Sequence, residues 1–185
     1  MRRLRAPTPA AGRSGRGLGL WLAAFTLVLA GCSPEYNWRE LDAADGLARA
    51  AFPARMQSET RPLVLANTEV SFTLSVATVK GAMFAVGGAP FPEAVKRDPA
   101  QRVAIGQALG EAAYANLGAT PPQTLPTDGT PFEVRGGGAR ADTWLLMRIW
   151  VTDDAVVEAM ALGSDTTLPA DRAREFADQV KPIKR

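Results

Sequence analysis

Histidine is absent from the 185 residues, and cysteine occurs once. Without imidazole, neither a Ser-His-Asp nor a Cys-His nucleophilic arrangement can be assembled. Zinc, copper and haem sites lose their usual nitrogen ligand, and a single thiol closes no disulfide within the chain. The Asp-x-Asp-x-Asp-Gly spacing of a calcium loop is missing as well. No metal and no cofactor is expected. A basic bias is also missing once the chain is divided. The pI is near 9.0, but Arg2, Arg3, Arg5, Arg13 and Arg16 fall in the first 16 positions, where no acid occurs. Beyond residue 31, 16 basic residues face 19 acidic ones, a net charge of −3. That balance gives no electrostatic reason to seek phosphates, so nucleic acid is not an expected partner.

What is present begins with a leader. A basic stretch over residues 1–17 precedes the apolar run LGLWLAAFTLVLA at 18–30. Thirteen residues of helix span about 20 Å, short of the roughly 30 Å of a bilayer core, so the run suits a signal peptide. Residues 1–31 are therefore expected to direct export. Leu29, Ala30, Gly31 and Cys32 stand directly after the run, and this Leu-Ala-Gly-Cys sequence resembles the bacterial lipobox. The resemblance implies cleavage before Cys32, lipidation of its thiol and acylation of the new amino terminus. Fatty chains add about 0.8 kcal/mol per buried methylene, and more than one chain gives a stable anchor. Ser33 follows the cysteine, where the inner-membrane retention signal has aspartate. The expected address is the periplasmic face of the outer membrane. The Arg2-Arg3 pair lacks the flanking pattern of twin-arginine export.

Residues 33–45, SPEYNWRELDAAD, show no alternation and carry a proline and several charges, so 32–45 is expected to be a lipidated tether. Within it, Tyr36 and Trp38 suit either the lipid headgroups or, the preferred reading, docking on the domain, which is expected over 46–185. The clearest periodicity runs over 69–79, where Val70, Phe72, Leu74 and Val76 alternate with Ser71, Thr73, Ser75 and Ala77. That pattern spells a half-buried strand. Lys80-Gly81 then reads as a tight turn into a partner strand over 82–86, and 47–52 and 62–66 read as shorter strands.

Asp98-Pro99 opens a helix: the carboxylate caps free amides, proline suits the first turn, and Gln101 stands three residues after the cap. The helix is expected to end at Leu117, before Gly118, with Ile105, Leu109, Ala112 and Ala113 facing inward. Prolines and a Thr-Asp-Gly turn make 119–129 a connector. Residues 130–135 read as a strand, and Gly136-Gly137-Gly138 as a flexible link or hairpin tip. The run TWLLMRIWV at 143–151 is apolar almost throughout, as in a strand covered on both faces. A turn at Asp153-Asp154 leads into 155–162, with Val156, Met160 and Leu162 on one face and Glu158 as its polar exception. A last helix over 169–180 turns Ala173, Phe176, Ala177 and Val180 inward.

Strands, helix, strands, helix, without regular βαβ alternation, imply an α+β domain: an antiparallel sheet with two main helices packed on it. About 150 residues bury roughly 68–70% of their unfolded surface, enough for a core without disulfides. The CSPEYNWRE start at 32–40, the AFPAR segment at 51–55, the MFAVG strand at 83–87 and the closing helix at 173–176 resemble a group of uncharacterised proteobacterial lipoproteins. More distantly, the element order is similar to the PsbP/Mog1-like α/β/α sandwich. The resemblance transfers no functional residue.

The remaining chemistry is sparse. Lys80, Lys96, Lys181 and Lys184 formally allow serine-lysine catalysis, but three lie beside prolines, charges or the terminus. Adjacent aspartates between strands read as a solvated turn, and Gly136 to Gly138 lacks the strand-to-helix setting of a phosphate loop. Trp144 and Trp150 share one face of their strand with Leu146 and Arg148. They suit either core packing beneath a helix, the preferred reading, or a groove for an apolar ligand, a glycan or a partner. A buried guanidinium needs a carboxylate or carbonyls, and Glu158 on the next strand is the expected partner of Arg148. The expected function is a non-catalytic, lipid-anchored envelope module that binds an envelope protein or glycan. The alternative is a carrier holding a small apolar ligand between sheet and helix, near Trp144 and Trp150.

Overall fold

A computed structural model describes residues 36–183; the leader, with Leu29, Ala30, Gly31 and Cys32, lies outside the described residues. The strands are β1 (Arg39–Ala43), β2 (Ala48–Phe52), β3 (Gln57–Leu65), β4 (Thr68–Val79) and β5 (Ala82–Pro90). A short helix α1 (Glu93–Lys96) and a long one, α2 (Pro99–Leu117), follow. Then come β6 (Phe132–Arg135), a 3-10 turn (Gly138–Arg140), β7 (Thr143–Val151), β8 (Ala155–Ser164), helix α3 (Ala170–Gln179) and β9 (Lys181–Pro182).

Six strands form one sheet in the order β3-β4-β5-β8-β7-β6, and β1-β2-β9 form a second; every pairing is antiparallel. The fold is therefore α+β, a main sheet with helices packed on it. Period-2 alternation splits the core in two. One face of the large sheet carries Val70, Phe72, Met147, Ile149 and Val156 against α2, while the other carries Ala77, Phe84, Trp144, Leu146 and Val157 against α3 and the small sheet. Both cores close within the described residues, which form one compact unit with its own hydrophobic core.

Two β-hairpin turns account for the order at one edge. Ala66 and Asn67, at φ 46° and 61°, reverse β3 into β4, and Lys80 and Gly81, at φ 45° and 85°, reverse β4 into β5. The first hairpin makes β3 a nine-residue strand, longer than the 62–66 segment that alternation picks out. Six of its first seven residues are exposed at the sheet edge, so no apolar period marks them. Helix α2 starts and stops as expected. Gln101 N–H donates to Asp98 Oδ1 at 3.1 Å, and Gly118 takes the left-handed conformation at φ 67° that ends the helix.

The tether expected over 32–45 needs correction. Residues 39–43 pair with β2 from Arg39↔Phe52 to Ala43↔Ala48, so the domain begins before residue 46. Arg39, Glu40, Leu41 and Asp42 are all exposed, which is why no alternation shows there. Tyr36 and Trp38 dock as expected. Their rings stack at 5.9 Å and both meet Phe84 edge-on, at 6.2 and 6.1 Å, while Phe84 meets Phe176 of α3 at 5.4 Å. The small sheet is tied to β4 by the Ala44 N–H, which donates to the buried Ser75 Oγ at 3.1 Å.

Candidate functional site

The face of Trp144, Arg148 and Trp150 is expected to be core packing beneath a helix, with a ligand or partner groove as the alternative. The structure keeps these residues on one side of β7, but Trp144 is buried in the core shared with α3, and its indole nitrogen has no hydrogen-bond partner. Arg148 lies between β7 and the end of α3. Its Nε donates to the Gly129 carbonyl at 2.6 Å, and its Nη1 donates to the Ala177 carbonyl at 3.0 Å and Asp178 Oδ1 at 3.1 Å. The guanidinium also covers the Trp150 ring at 4.9 Å from its centroid. Arg148 therefore pins a loop and a helix end to the sheet, and Trp144 is core rather than a ligand wall.

The expected Arg148–Glu158 pair does not form. In the β7–β8 register Arg148 faces Ala159 and Ile149 faces Glu158. Alternation then points the guanidinium toward α3 and the carboxyl toward α2, with the sheet between them. Adjacency of strands was legible in the sequence; register was not.

The other face of the sheet holds the candidate site. Helix α2 lies over β7 and touches β3, β6 and β8. Toward the β3 edge a groove of about 780 Å³ opens between α2 and the sheet. Its walls are Leu109, Ala112, Ala113 and Asn116 of α2, Phe72, Leu74 and Val76 of β4, Met147 of β7 and Met160 of β8. The rim is β3, with Gln57, Glu59, Arg61, Leu63 and Val64. Val64 is 70% exposed there. The size lies within the roughly 300–1,000 Å³ of small-molecule pockets, and the mostly apolar lining fits that class. Ala112, expected in the core, is exposed and lines this groove, because α2 stands clear of the sheet on that side.

One charged-type side chain stands at the base of the groove. Glu158 is 5% exposed, and among the described residues no hydrogen bond or ion pair reaches it. Desolvation pushes its carboxyl up to about 8. The strand opposite makes room for it. Glu158 pairs with Gly87 in the β5–β8 register, and a Cβ at Gly87 would come within 2.7 Å of Glu158 Oε1 and 2.5 Å of Phe72 Cζ. Glycine at 87 thus lets the carboxyl and the Phe72 ring lie on the strand. At the rim, Arg61 Nε and Nη2 donate to Glu59 at 3.0 and 2.7 Å, and that bonding holds the Glu59 carboxyl below its ordinary range. These two charges satisfy each other. Glu158 is the uncompensated group.

The remaining sequence candidates are structural. Asp153 accepts from Arg102 at 2.9 Å and Asp154 faces Lys96 at 3.8 Å, an exposed turn as expected. Gly136 to Gly138 lead from β6 through the 3-10 turn toward β7. Among the described residues no group of three acidic, cysteine or histidine side chains gathers to hold a metal, and no helix is long and apolar enough to cross a membrane. No family model, curated protein or solved structure matches this chain. The groove was beyond sequence reasoning because it depends on how far α2 stands from β4. The available signal was Glu158, the one acid on an apolar strand face, with Gly87 in the facing strand.

Proposed function

We propose that this chain is a non-catalytic lipoprotein of the bacterial envelope, anchored through Cys32 at the periplasmic face of the outer membrane, whose domain takes an apolar ligand in the α2–β3 groove. The lipobox-like run and the absence of histidine support the address and the lack of catalysis. The resemblance of residues 32–40 to proteobacterial lipoproteins supports the same address. One observation carries the binding reading: an apolar groove of about 780 Å³, open at a sheet edge, with a single buried polar side chain at its base. The ligand-carrier reading thereby moves from the Trp144–Trp150 face, where Trp144 is core, to the opposite face of the sheet.

Calorimetric titration of residues 33–185 with n-decanol tests this. The wild-type domain is expected to bind one chain, and Ala112→Trp, which fills the groove from α2, is expected to lose binding while keeping its melting temperature. Absence of binding to the wild type, or equal binding to the filled variant, would overturn the reading. Recognition of an envelope protein or glycan elsewhere on the surface would then take its place.

A further inference from the structure

The groove's polar content is unbalanced. Of the described residues that line it, three carry ionisable groups: Glu59 and Arg61 on β3, bonded to each other, and Glu158. In the sheet Glu158 pairs with Gly87 of β5 and Ile149 of β7, Phe72 of β4 adjoins Gly87, and Met147, Leu109 and Ala113 line the same groove, none of them charged. Arg148, the nearest cation along β7, points to the far side of the sheet and is held by Asp178. Among the described residues an ionised Glu158 therefore has no ion-pair partner, because Arg61, the cation that lines the groove, is bonded to Glu59 at the rim. Burying a lone carboxylate is costly unless a cation or several donors meet it.

We infer that the ligand class is a lipophilic amine: an apolar chain that lies along the groove with a protonated amino group against the Glu158 carboxylate. The inference rests on the groove being a ligand site and adds the charge of what enters it. The ammonium supplies the missing counter-charge, the Phe72 ring adjoins it, and the chain covers Leu74, Met147 and Met160. Because the free carboxyl holds its proton up to about pH 8, binding the cation at pH 7 expels that proton. The amine stays protonated throughout, so charge and proton balance: one proton leaves Glu158 for solvent as the ion pair forms.

The experiment compares n-decylamine, n-decanol and decanoate on residues 33–185 by calorimetry between pH 6 and 9, in two buffers of different ionisation enthalpy. Decylamine affinity is expected to rise about tenfold per pH unit up to pH 8 and then level, with close to one proton released at pH 7. At pH 8.5 it should exceed decanol at least tenfold, with decanoate weakest. Glu158→Gln is expected to flatten the pH profile and bring decylamine down to the level of decanol. Decylamine affinity that ignores pH and releases no proton overturns the inference in the wild type alone, without any variant. Tightest binding of decanoate overturns it too. If decanol binds while decylamine gains nothing, the charge assignment fails and the groove reading stands; if no chain binds, the groove reading itself fails.

Discussion

Glu158 and Arg148 lie on neighbouring strands and have opposite fates. Arg148 finds two carbonyls and Asp178, whereas Glu158 finds only apolar walls and the glycine opposite. The consequence is a pH-dependent stability with a definite sign. The Glu158 carboxyl titrates near 4.5 when unfolded and about 8 when folded. Between those values the folded state binds more protons, so stability is full below pH 4.5, falls as pH rises toward 8, and is level beyond. Denaturant melts of wild type and Glu158→Gln should diverge by a few kcal/mol across that window, with the glutamine variant keeping the flatter profile. Parallel profiles would show that Glu158 is solvated or paired in solution. The sequence made Glu158 visible as the polar exception on an apolar face. Its isolation was not visible, because a one-residue choice of register decides which side of a sheet a side chain faces.

At the scale of elements, legibility followed local chemistry. The long helix was readable to its ends because Asp98, Pro99 and Gly118 act through bonds within one turn of themselves. Strands β1 and the first half of β3 were not readable, since both are edge-like and exposed, and their pairing is decided by distant partners. The turn that forms the β3–β4 hairpin was equally hidden. Ala66 sits at φ 46°, where a Cβ is unfavourable, and is held by Gln101 of α2, whose Nε2 donates to the Ala66 carbonyl at 2.7 Å and to Thr68 Oγ1 at 2.9 Å. Ala66→Gly should relieve that conformation and raise stability by about 1 kcal/mol, less the added freedom of glycine in the unfolded chain. A lower melting temperature for this variant would mean that the turn is not strained. The same contact from Gln101 ties the first turn of α2 to the β3–β4 hairpin.

For the molecule as a whole, the proposed anchor at Cys32 is the claim to test. Tyr36 is already docked against Phe84, and it stands four residues beyond Cys32. Four extended residues reach at most about 14 Å, so lipidation of Cys32, as proposed, would keep Tyr36 within that reach of the membrane surface. The Cys32→Ser chain should lose labelled palmitate, accumulate as the uncleaved precursor, and leave the lipid-modified fraction. Persistent labelling or normal cleavage would refute the anchor.

The central claim, that the groove between α2 and the β3 edge receives an apolar chain, is tested most directly by methyl NMR of residues 33–185 carrying labelled methionine and titrated with n-decanol. Met147 and Met160 line the groove, while Met56 packs beside the opposite core. The expected result is a saturable shift of the Met147 and Met160 methyl signals with Met56 unmoved. Unchanged Met147 and Met160 signals at saturating decanol, or shifts centred on Met56, would contradict the account.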